Sequence, residues 1–231
     1  MWSLDRIDKL RHQISSAPSL ARQSAGAKLA SRVVAIGAST GGPSALMQLF
    51  GAFAEAPSCA FFVAQHMPAG FTQGFAERLN RLTNLRAREA RDGDEPEAGT
   101  ILVAPGEHHL EFEVKEGRVV TLLAPRTHTD KYAPAVDRMF ESAAKHFGSD
   151  LLAVVLTGMG DDGRRGVQAV KDHGGRVIAE SEETAVIFGM PQRAIRTGFV
   201  DAVLPLSEIA TAIQSGIGGS ESKAIRRKGS T

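Results

Sequence analysis

The sequence contains little that would cross-link the chain or anchor it in a membrane. Its 231 residues include one cysteine, Cys59, which excludes an intramolecular disulfide and any metal site built from several cysteines. No apolar run reaches about 18 residues, and no apolar segment follows the first basic residues, so neither a membrane span nor a secretory signal is indicated. Only 6% of the residues are aromatic, and no basic patch is interleaved with them. We therefore expect a cytoplasmic protein that binds no nucleic acid and does not insert into a membrane.

Composition divides the chain into a body and two basic ends. Residues 1–31 join a weakly amphipathic start to a stretch rich in Ser and Ala, which predicts a partly disordered linker or N-terminal extension. Residues 216–231 are rich in Gly, Ser, Lys and Arg and predict a disordered basic tail. The chain is 42% hydrophobic, so residues 32–215 are long enough to bury a core and are predicted to form one domain.

A strand, a glycine-rich turn and a helix are predicted in succession near the start of the body. The apolar residues Val33–Ile36 do not alternate with polar ones, which is typical of a strand buried on both faces. The turn Gly37–Gly42 follows, and Pro43 is tolerated at the first position of a helix. In open α/β sheets such a turn lies at the carboxyl end of a strand, where these folds place their chemistry.

Three chemistries use a turn of this kind, and the spacing of its residues separates them. A phosphate-binding P-loop would need Lys after Gly42, where this chain has Pro43. A dinucleotide-binding fingerprint would need Gly in place of Ser39 and an acidic residue closing the second strand, which here ends in Gln65 and His66. The glycine-x-serine-x-glycine pattern around Ser39 instead matches a nucleophile elbow, a strained turn that raises a serine hydroxyl above the sheet. A dinucleotide-binding oxidoreductase remains as a disfavoured alternative.

Strands alternate with helices along the body, which predicts an α/β fold with a doubly wound, mainly parallel sheet in three Rossmann-like layers. Three short strands in the middle of the chain are separated by turn residues and predict a small antiparallel β excursion: Ile101–Ala104, Leu110–Val114 and Val119–Leu123. The other predicted strands are 33–36, 60–64, 151–156, 177–179 and 199–204, and helices are predicted around 46–53, 71–82, 136–147 and 167–170.

Polar residues follow three of the predicted parallel strands: Ser39, His66 and the pair Asp161 and Asp162. The carboxyl ends of parallel strands meet at one edge of a sheet, so we expect these residues to lie close together. Acyl transfer uses such a set, with serine as nucleophile, imidazole as base and a carboxylate that orients the imidazole. Each residue also has a structural interpretation, since His66 precedes Pro68 at a strand end and either aspartate could cap the next helix. The residues alone leave the choice between the two aspartates open.

Several longer motifs occur in a fixed order along the chain: Ala35-Ile36-Gly37-Ala38-Ser39-Thr40-Gly41-Gly42, Gln65-His66-Met67-Pro68 with Gly70-Phe71-Thr72, Phe75-Ala76-Glu77-Arg78-Leu79-Asn80, Ala104-Pro105-Gly106, Leu156-Thr157-Gly158-Met159-Gly160-x-Asp162-Gly163, and Phe188-Gly189-Met190-Pro191. Together they resemble the catalytic domain of the chemotaxis receptor methylesterases of the CheB type. The resemblance runs from about Arg32 to about Ile213.

This resemblance implies a serine hydrolase that removes methyl esters from glutamate side chains on the cytoplasmic helices of methyl-accepting chemotaxis receptors. Methanol is the product, and members of the family often deamidate receptor glutamines as well. Neither a metal nor an organic cofactor is implied. A non-catalytic module that binds receptors and a glutamine amidase using the same site are the alternatives within this interpretation.

The resemblance also implies a role for each site residue. Ser39 corresponds to the nucleophile, His66 to the base and Asp162 to the orienting carboxylate. An oxyanion hole is implied at the backbone amide of Met159, with Thr40 and Gly41 beside the nucleophile.

Two departures from the family pattern affect regulation and substrate choice. Members typically begin with a phosphorylatable receiver domain that restrains the esterase, whereas only a short segment precedes Arg32 here, so a receiver domain remains a candidate partner. The family's Arg-Pro-Ser-Val-Asp-like segment reads Ala133-Pro134-Ala135-Val136-Asp137 in this chain. Loss of the arginine and serine side chains leaves the catalytic set unchanged, whereas the family pattern no longer determines the substrate preference.

Overall fold

A computed structural model describes residues 29–30 and 32–215. The predicted tail, and the predicted linker apart from Leu29 and Ala30, lie outside the described residues. The strands are β1 (Arg32–Ala38), β2 (Cys59–Gln65), β3 (Arg86–Glu89), β4 (Thr100–Val103), β5 (His108–Lys115), β6 (Arg118–Pro125), β7 (Leu151–Val155), β8 (Arg176–Glu180) and β9 (Ala202–Leu204). The helices are α1 (Gly42–Gly51), α2 (Phe71–Leu82), α3 (Val136–Phe147), α4 (Arg164–Asp172), α5 (Met190–Ile195) and α6 (Leu206–Gln214), and a 3-10 turn spans Gly148–Asp150.

A parallel sheet of seven strands runs through the described residues in the order β3-β4-β2-β1-β7-β8-β9. Strand β1 lies between β2 and β7 and is buried except at Arg32, as its unbroken apolar run predicts. After β1, the chain adds β2, β3 and β4 on one side of β1 and then β7, β8 and β9 on the other side. A crevice is expected at the carboxyl ends of strands where the winding reverses in this way. The predicted doubly wound, mainly parallel sheet is confirmed.

Helices cover both faces of the sheet, and each face has its own apolar core. Side chains of α1, α2 and α6, including Phe50, Leu79 and Ile209, pack in one cluster. Side chains of α3, α4 and α5, including Phe140 and Val167, pack in the other. Burial of each such side chain stabilises the fold by roughly 1.5–3 kcal/mol. Among the helices of the described residues, none has the length and apolar character that crossing a membrane requires.

The antiparallel excursion is smaller than predicted. Only β5 and β6 pair antiparallel, and they form a separate two-stranded sheet. The predicted assignment of Ile101–Ala104 to this excursion is wrong, because β4 pairs parallel with both β2 and β3 in the main sheet. Every residue of β4 is buried, so its run of apolar residues is that of an interior parallel strand, whereas β5 mixes buried and partly exposed residues.

Candidate active site

Ser39 lies in the turn between β1 and α1. Its backbone N–H donates to the carbonyl of Thr157 at 3.0 Å, and its own carbonyl accepts from the N–H of Gly42 at 2.8 Å. Gly41 has a φ of 83°, a left-handed conformation that glycine adopts at little cost, and α1 begins at the next residue. The turn thereby holds Ser39 half-buried at the carboxyl edge of the sheet.

His66 directly follows β2, and the pairing of β1 with β2 sets its position. Ala38 is in register with Gln65, and the N–H of His66 donates to the carbonyl of Ala38 at 3.0 Å. Ser39 and His66 therefore follow paired residues on neighbouring strands. The imidazole Nε2 lies 2.7 Å from Oδ2 of Asp162, which comes from the loop after β7. The structure thus brings the three predicted strand ends to one place.

Nδ1, the nitrogen of His66 that does not contact Asp162, forms no hydrogen bond within the described residues. It is buried, and no hydrogen bond joins it to the Ser39 hydroxyl. Because Nε2 donates to the carboxylate, a neutral His66 carries its lone pair on Nδ1. A lone pair of this kind suits a general base, and catalytic hydrogen bonds often tighten only when substrate is bound.

Asp162 is 5% exposed, and its carboxylate accepts three hydrogen bonds. Besides His66, the backbone N–H groups of Val136 and Asp137 at the start of α3 donate to it at 2.7 and 2.9 Å. Burial alone raises the pKa of Asp162, but the hydrogen bonds from His66, Asp137 and Val136 outweigh it and lower the pKa below its ordinary value. Asp162 is therefore held as an anion against the imidazole.

Asp137 in turn accepts hydrogen bonds from the start of α4, the helix that follows Asp162. Its Oδ1 accepts from the backbone N–H groups of Arg165 and Gly166 at 2.9 and 2.8 Å, in the first turn of α4. Asp162, which precedes α4, thus accepts from N–H groups at the start of α3, and Asp137 of α3 accepts from N–H groups at the start of α4. Such groups otherwise lack partners within a helix. We call this arrangement the reciprocal cap of α3 and α4. The segment Ala133–Asp137, expected to affect substrate choice, supports Asp162 through its backbone.

Buried polar side chains beneath Ser39 form hydrogen bonds with the backbone at the ends of the strands. The side-chain amide of Gln65 donates to the carbonyls of Ser39 and His66 at 2.9 and 3.1 Å. The backbone N–H of Thr157 donates to the fully buried carboxylate of Glu180 at 2.8 Å. Burial raises the pKa of Glu180, although its hydrogen bonds partly oppose the shift. Gln65 adjoins His66 in a recognisable motif, whereas no local pattern points to Glu180.

Three backbone N–H groups close to Ser39 have no acceptor within the described residues: those of Thr40, Gly41 and Met159. Met159 follows Gly158, which packs so closely that an added Cβ would lie 2.8 Å from the Cβ of Ser39. The Met159 side chain itself is 64% exposed. Unpaired N–H groups around a nucleophile are the elements from which an oxyanion hole is built.

Tyr132 stacks on the imidazole of His66, with ring centroids 4.3 Å apart and planes inclined by 8°. It precedes α3 and borders a cleft of about 400 Å³ beside Asp162. Cations and carboxylates alternate in this cleft, as in the pair of Lys131 and Asp161 at 3.4 Å. Tyr132 is the single tyrosine of the chain, but no sequence pattern predicts its contact with His66.

His109 is the second residue of β5 and is fully buried next to the segment that precedes α3. Its Nδ1 accepts from the N–H of Ala135 at 3.2 Å, and its Nε2 lies 3.1 Å from Oδ2 of Asp130. Both ring nitrogens thus face the segment 130–135 that carries Tyr132. Residues 29–30 and 32–215 contain no cluster of three or more His, Cys, Asp or Glu side chains arranged to hold a metal ion.

Comparison with known proteins identifies the family. A family model described as CheB methylesterase matches residues 34–213. The chain belongs to the CheB methylesterase family. This confirms the predicted resemblance and does not favour a dinucleotide-binding oxidoreductase.

Relatives of this CheB-family chain are similar over most of its length. Protein-glutamate methylesterase/protein-glutamine glutaminase 3 of Geobacter sulfurreducens is 52% identical over 181 residues, which cover 78% of this chain and 49% of that protein. The corresponding protein 2 of Pseudomonas aeruginosa is 45% identical over 206 residues, 89% of this chain and 58% of that protein. The chain thus spans about half the length of the curated relatives it matches.

A solved structure agrees with the fold. The crystal structure of the Thermotoga maritima CheB methylesterase catalytic domain is 40% identical in sequence and superimposes with a TM-score of 0.77. The match covers 80% of this chain and 97% of that domain. The described part of this CheB-family chain therefore corresponds to nearly all of the catalytic domain of that relative.

Proposed function

We propose that this chain is a serine hydrolase that removes methyl esters from glutamate side chains of chemotaxis receptors and also deamidates receptor glutamines. The observation that carries the proposal is the 2.7 Å contact between His66 and Asp162 at the sheet edge that also bears Ser39. The names of the Geobacter and Pseudomonas relatives, which combine methylesterase and glutaminase, support both activities.

In the first half-reaction, the Ser39 Oγ attacks the ester carbonyl carbon while Nδ1 of His66 takes its proton. Asp162 holds the imidazole by Nε2 and stabilises the imidazolium that forms. The N–H groups of Thr40, Gly41 and Met159 are the proposed donors to the oxyanion of the tetrahedral intermediate. When this intermediate collapses, the bond to the methoxy group breaks, and His66 gives its proton to the methoxy oxygen, so that methanol leaves.

In the second half-reaction, water attacks the glutamyl ester of Ser39. His66 takes a proton from the water and then returns it to Oγ as the bond between Oγ and the acyl carbon breaks. The receptor is released with a free glutamate carboxylate. A glutamine side chain would follow the same route with ammonia as the leaving group, which accounts for two activities at one site.

The proposed substrates are the cytoplasmic helices of methyl-accepting receptors, so we propose that the chain acts in the cytoplasm. A receiver domain is the proposed regulatory partner, because family members typically carry one. The replaced side chains at Ala133 and Ala135 lie next to Tyr132, which borders the cleft beside Asp162. This position supports a changed substrate preference.

Methanol release from methylated receptor fragments tests the proposal. We expect Ser39→Ala to lose about a thousandfold or more in rate, and Asp162→Asn to lose a comparable factor, since both act in the same proton transfer. Ser44→Ala and Asp161→Asn are matched controls, because both side chains are exposed, Asp161 directly precedes Asp162, and Ser44 lies in the helix that follows Ser39. Both controls should retain most of the activity.

Two outcomes would contradict the proposal. Methanol release that is unchanged in Ser39→Ala would exclude Ser39 as nucleophile. No release by the folded wild-type chain, together with no labelling of Ser39 by a fluorophosphonate, would favour a receptor-binding module without catalysis. Ammonia release from fragments that carry glutamine, measured in the same variants, separates the glutaminase from the methylesterase activity.

A further inference from the structure

The stack of Tyr132 on His66 is not explained by the proposed roles of the catalytic set. The two rings are almost parallel, with an 8° angle and centroids 4.3 Å apart. The hydrogen bond to Asp162 fixes one edge of the imidazole but leaves the ring free to tilt about that bond. A second ring lying flat on its face removes this tilt. The two contacts together define the plane of the imidazole and hence the direction of the Nδ1 lone pair.

The loop that carries Tyr132 is itself held in place. The adjacent Asp130 lies 3.1 Å from the fully buried His109, and it also accepts from the backbone N–H of Thr127 at 2.7 Å. On the other side of Tyr132, the N–H of Ala135 donates to His109 at 3.2 Å. One buried imidazole therefore fixes the loop on both sides of Tyr132.

The loop after β7 leaves space for the phenol. An added Cβ at Gly160 would lie 2.7 Å from the Tyr132 hydroxyl, and Gly160 has a φ of 100°. The Nζ of Lys131 lies 4.9 Å from the centroid of the same ring. The half-buried phenol thus lies against the loop that carries Asp162 as well as against His66.

We propose that Tyr132 is a positioning residue for His66, whose ring stack holds the imidazole in the orientation required for proton transfer. An aromatic face also attracts a cation, so the stack favours the imidazolium that forms in the transition state over the neutral ring of the resting enzyme. The aromatic ring carries this effect, and the hydroxyl is not required. The inference rests on the proposed esterase activity, because His66 has this role only within it.

Two substitutions separate the ring from the hydroxyl. Tyr132→Phe keeps the stack and should retain the turnover number within about twofold. Tyr132→Leu keeps an apolar side chain but removes the aromatic face, and we expect it to lower kcat roughly tenfold with little change in KM. The rate of labelling of Ser39 by a fluorophosphonate should fall by a similar factor, because this reaction needs an activated serine but no receptor binding.

Two further measurements distinguish positioning from a merely structural role. In the Asp162→Asn background, Tyr132→Leu should lower kcat by a much smaller factor than it does in the wild-type chain, because the imidazole has already lost its orientation. The ¹⁵N shifts of His66 at alkaline pH should show the Nε2–H tautomer in wild type and Tyr132→Phe, and a mixture of tautomers in Tyr132→Leu. Thermal unfolding and circular dichroism verify that each variant is folded.

Specific results would overturn the inference. A folded Tyr132→Leu variant with wild-type kcat and labelling rate would show that the stack does not position His66. A rise in KM with an unchanged labelling rate would instead make Tyr132 a substrate contact. Failure of the proposed function is a different result, because then the wild-type chain itself would release no methanol and Ser39 would not be labelled.

Discussion

Asp162 and Asp161 are neighbours in sequence with opposite surroundings. Asp162 is buried against His66 and the first N–H groups of α3, whereas Asp161 is exposed and pairs with Lys131. Sequence reasoning could place both at the carboxyl end of β7, because the unbroken apolar run shows where that strand ends. It could not choose between them from the residues, because the donors that select Asp162 come from a distant segment. The family resemblance selected the aspartate that the structure places against His66.

Replacement of Asp162 by Asn tests these donors through stability. We expect the free energy of unfolding at pH 7 to fall by about 2 kcal/mol, because three buried donors lose a charged acceptor. The pKa of Asp162 is lowered in the folded chain, so its contribution is present above the unfolded pKa of about 4 and is lost as the pH falls through the folded pKa. Urea unfolding of wild type and variant should therefore show a difference that shrinks below about pH 4.

The matched control for this prediction is Asp161→Asn. Its side chain is exposed, so its effect should stay within about 0.5 kcal/mol at either pH. A difference between wild type and Asp162→Asn that is the same at pH 7 and at about pH 3 would show that the carboxylate charge is not what the donors stabilise.

At the scale of elements, the turn from β1 into α1 depends on a close approach to β2. An added Cβ at Gly42 would lie 2.8 Å from the Cβ of Ala38 and would also collide with Oε1 of Gln65. Gln65 is the residue whose amide binds the carbonyl of Ser39. Helix α1 and the strand end that carries His66 can therefore approach each other only because position 42 has no side chain.

Gly42→Ala is expected to destabilise the chain by about 1–3 kcal/mol, because overpacking displaces Gln65 and the turn. Fluorophosphonate labelling of Ser39 should slow as well. Gly51→Ala is the matched control, since it lies at the other end of α1 with no atom within 4 Å of an added Cβ. That substitution should leave labelling unchanged and raise stability by up to about 1 kcal/mol. Urea unfolding checks both, and equal stability of the two variants would contradict the predicted collision.

Elements with a strong apolar pattern could be predicted from the sequence, and those that depend on tertiary contacts could not. The strands β1, β2 and β7 and the helix α2 follow unbroken apolar runs or helical spacing, and they lie where predicted. Strand β3 was not predicted, because only one of its four residues, Ala87, is buried and the others are charged. Helix α5 has only six residues, too few for a periodic pattern. The buried residues of helix α6 do have helical spacing, so this helix could have been predicted from the sequence and is missing from the prediction.

At the scale of the whole molecule, the single cysteine reports on opening of the sheet. Cys59 begins β2 and is 7% exposed, and burial raises the pKa of its thiol to about 11. We expect no reaction with a thiol reagent at pH 8 under native conditions, because neither the thiolate nor access is available. Reaction should become fast in urea at the unfolding midpoint measured by circular dichroism. Rapid labelling of the native chain would contradict a continuous core on this face of the sheet.

In the reciprocal cap of α3 and α4, a residue with a proposed function also stabilises the fold. Functional side chains are often destabilising, so a protein that loses its function can gain stability by replacing them. Asp162 differs, because the carboxylate proposed to orient His66 also completes the start of α3. The hydroxyl of Ser39 forms no hydrogen bond within the described residues, so it makes no comparable contribution to stability. If Ser39 and Asp162 act as proposed, a lineage that loses the esterase activity is expected to lose Ser39 early and to retain Asp162, so its inactive members should be recognised by the missing serine and not by the aspartate.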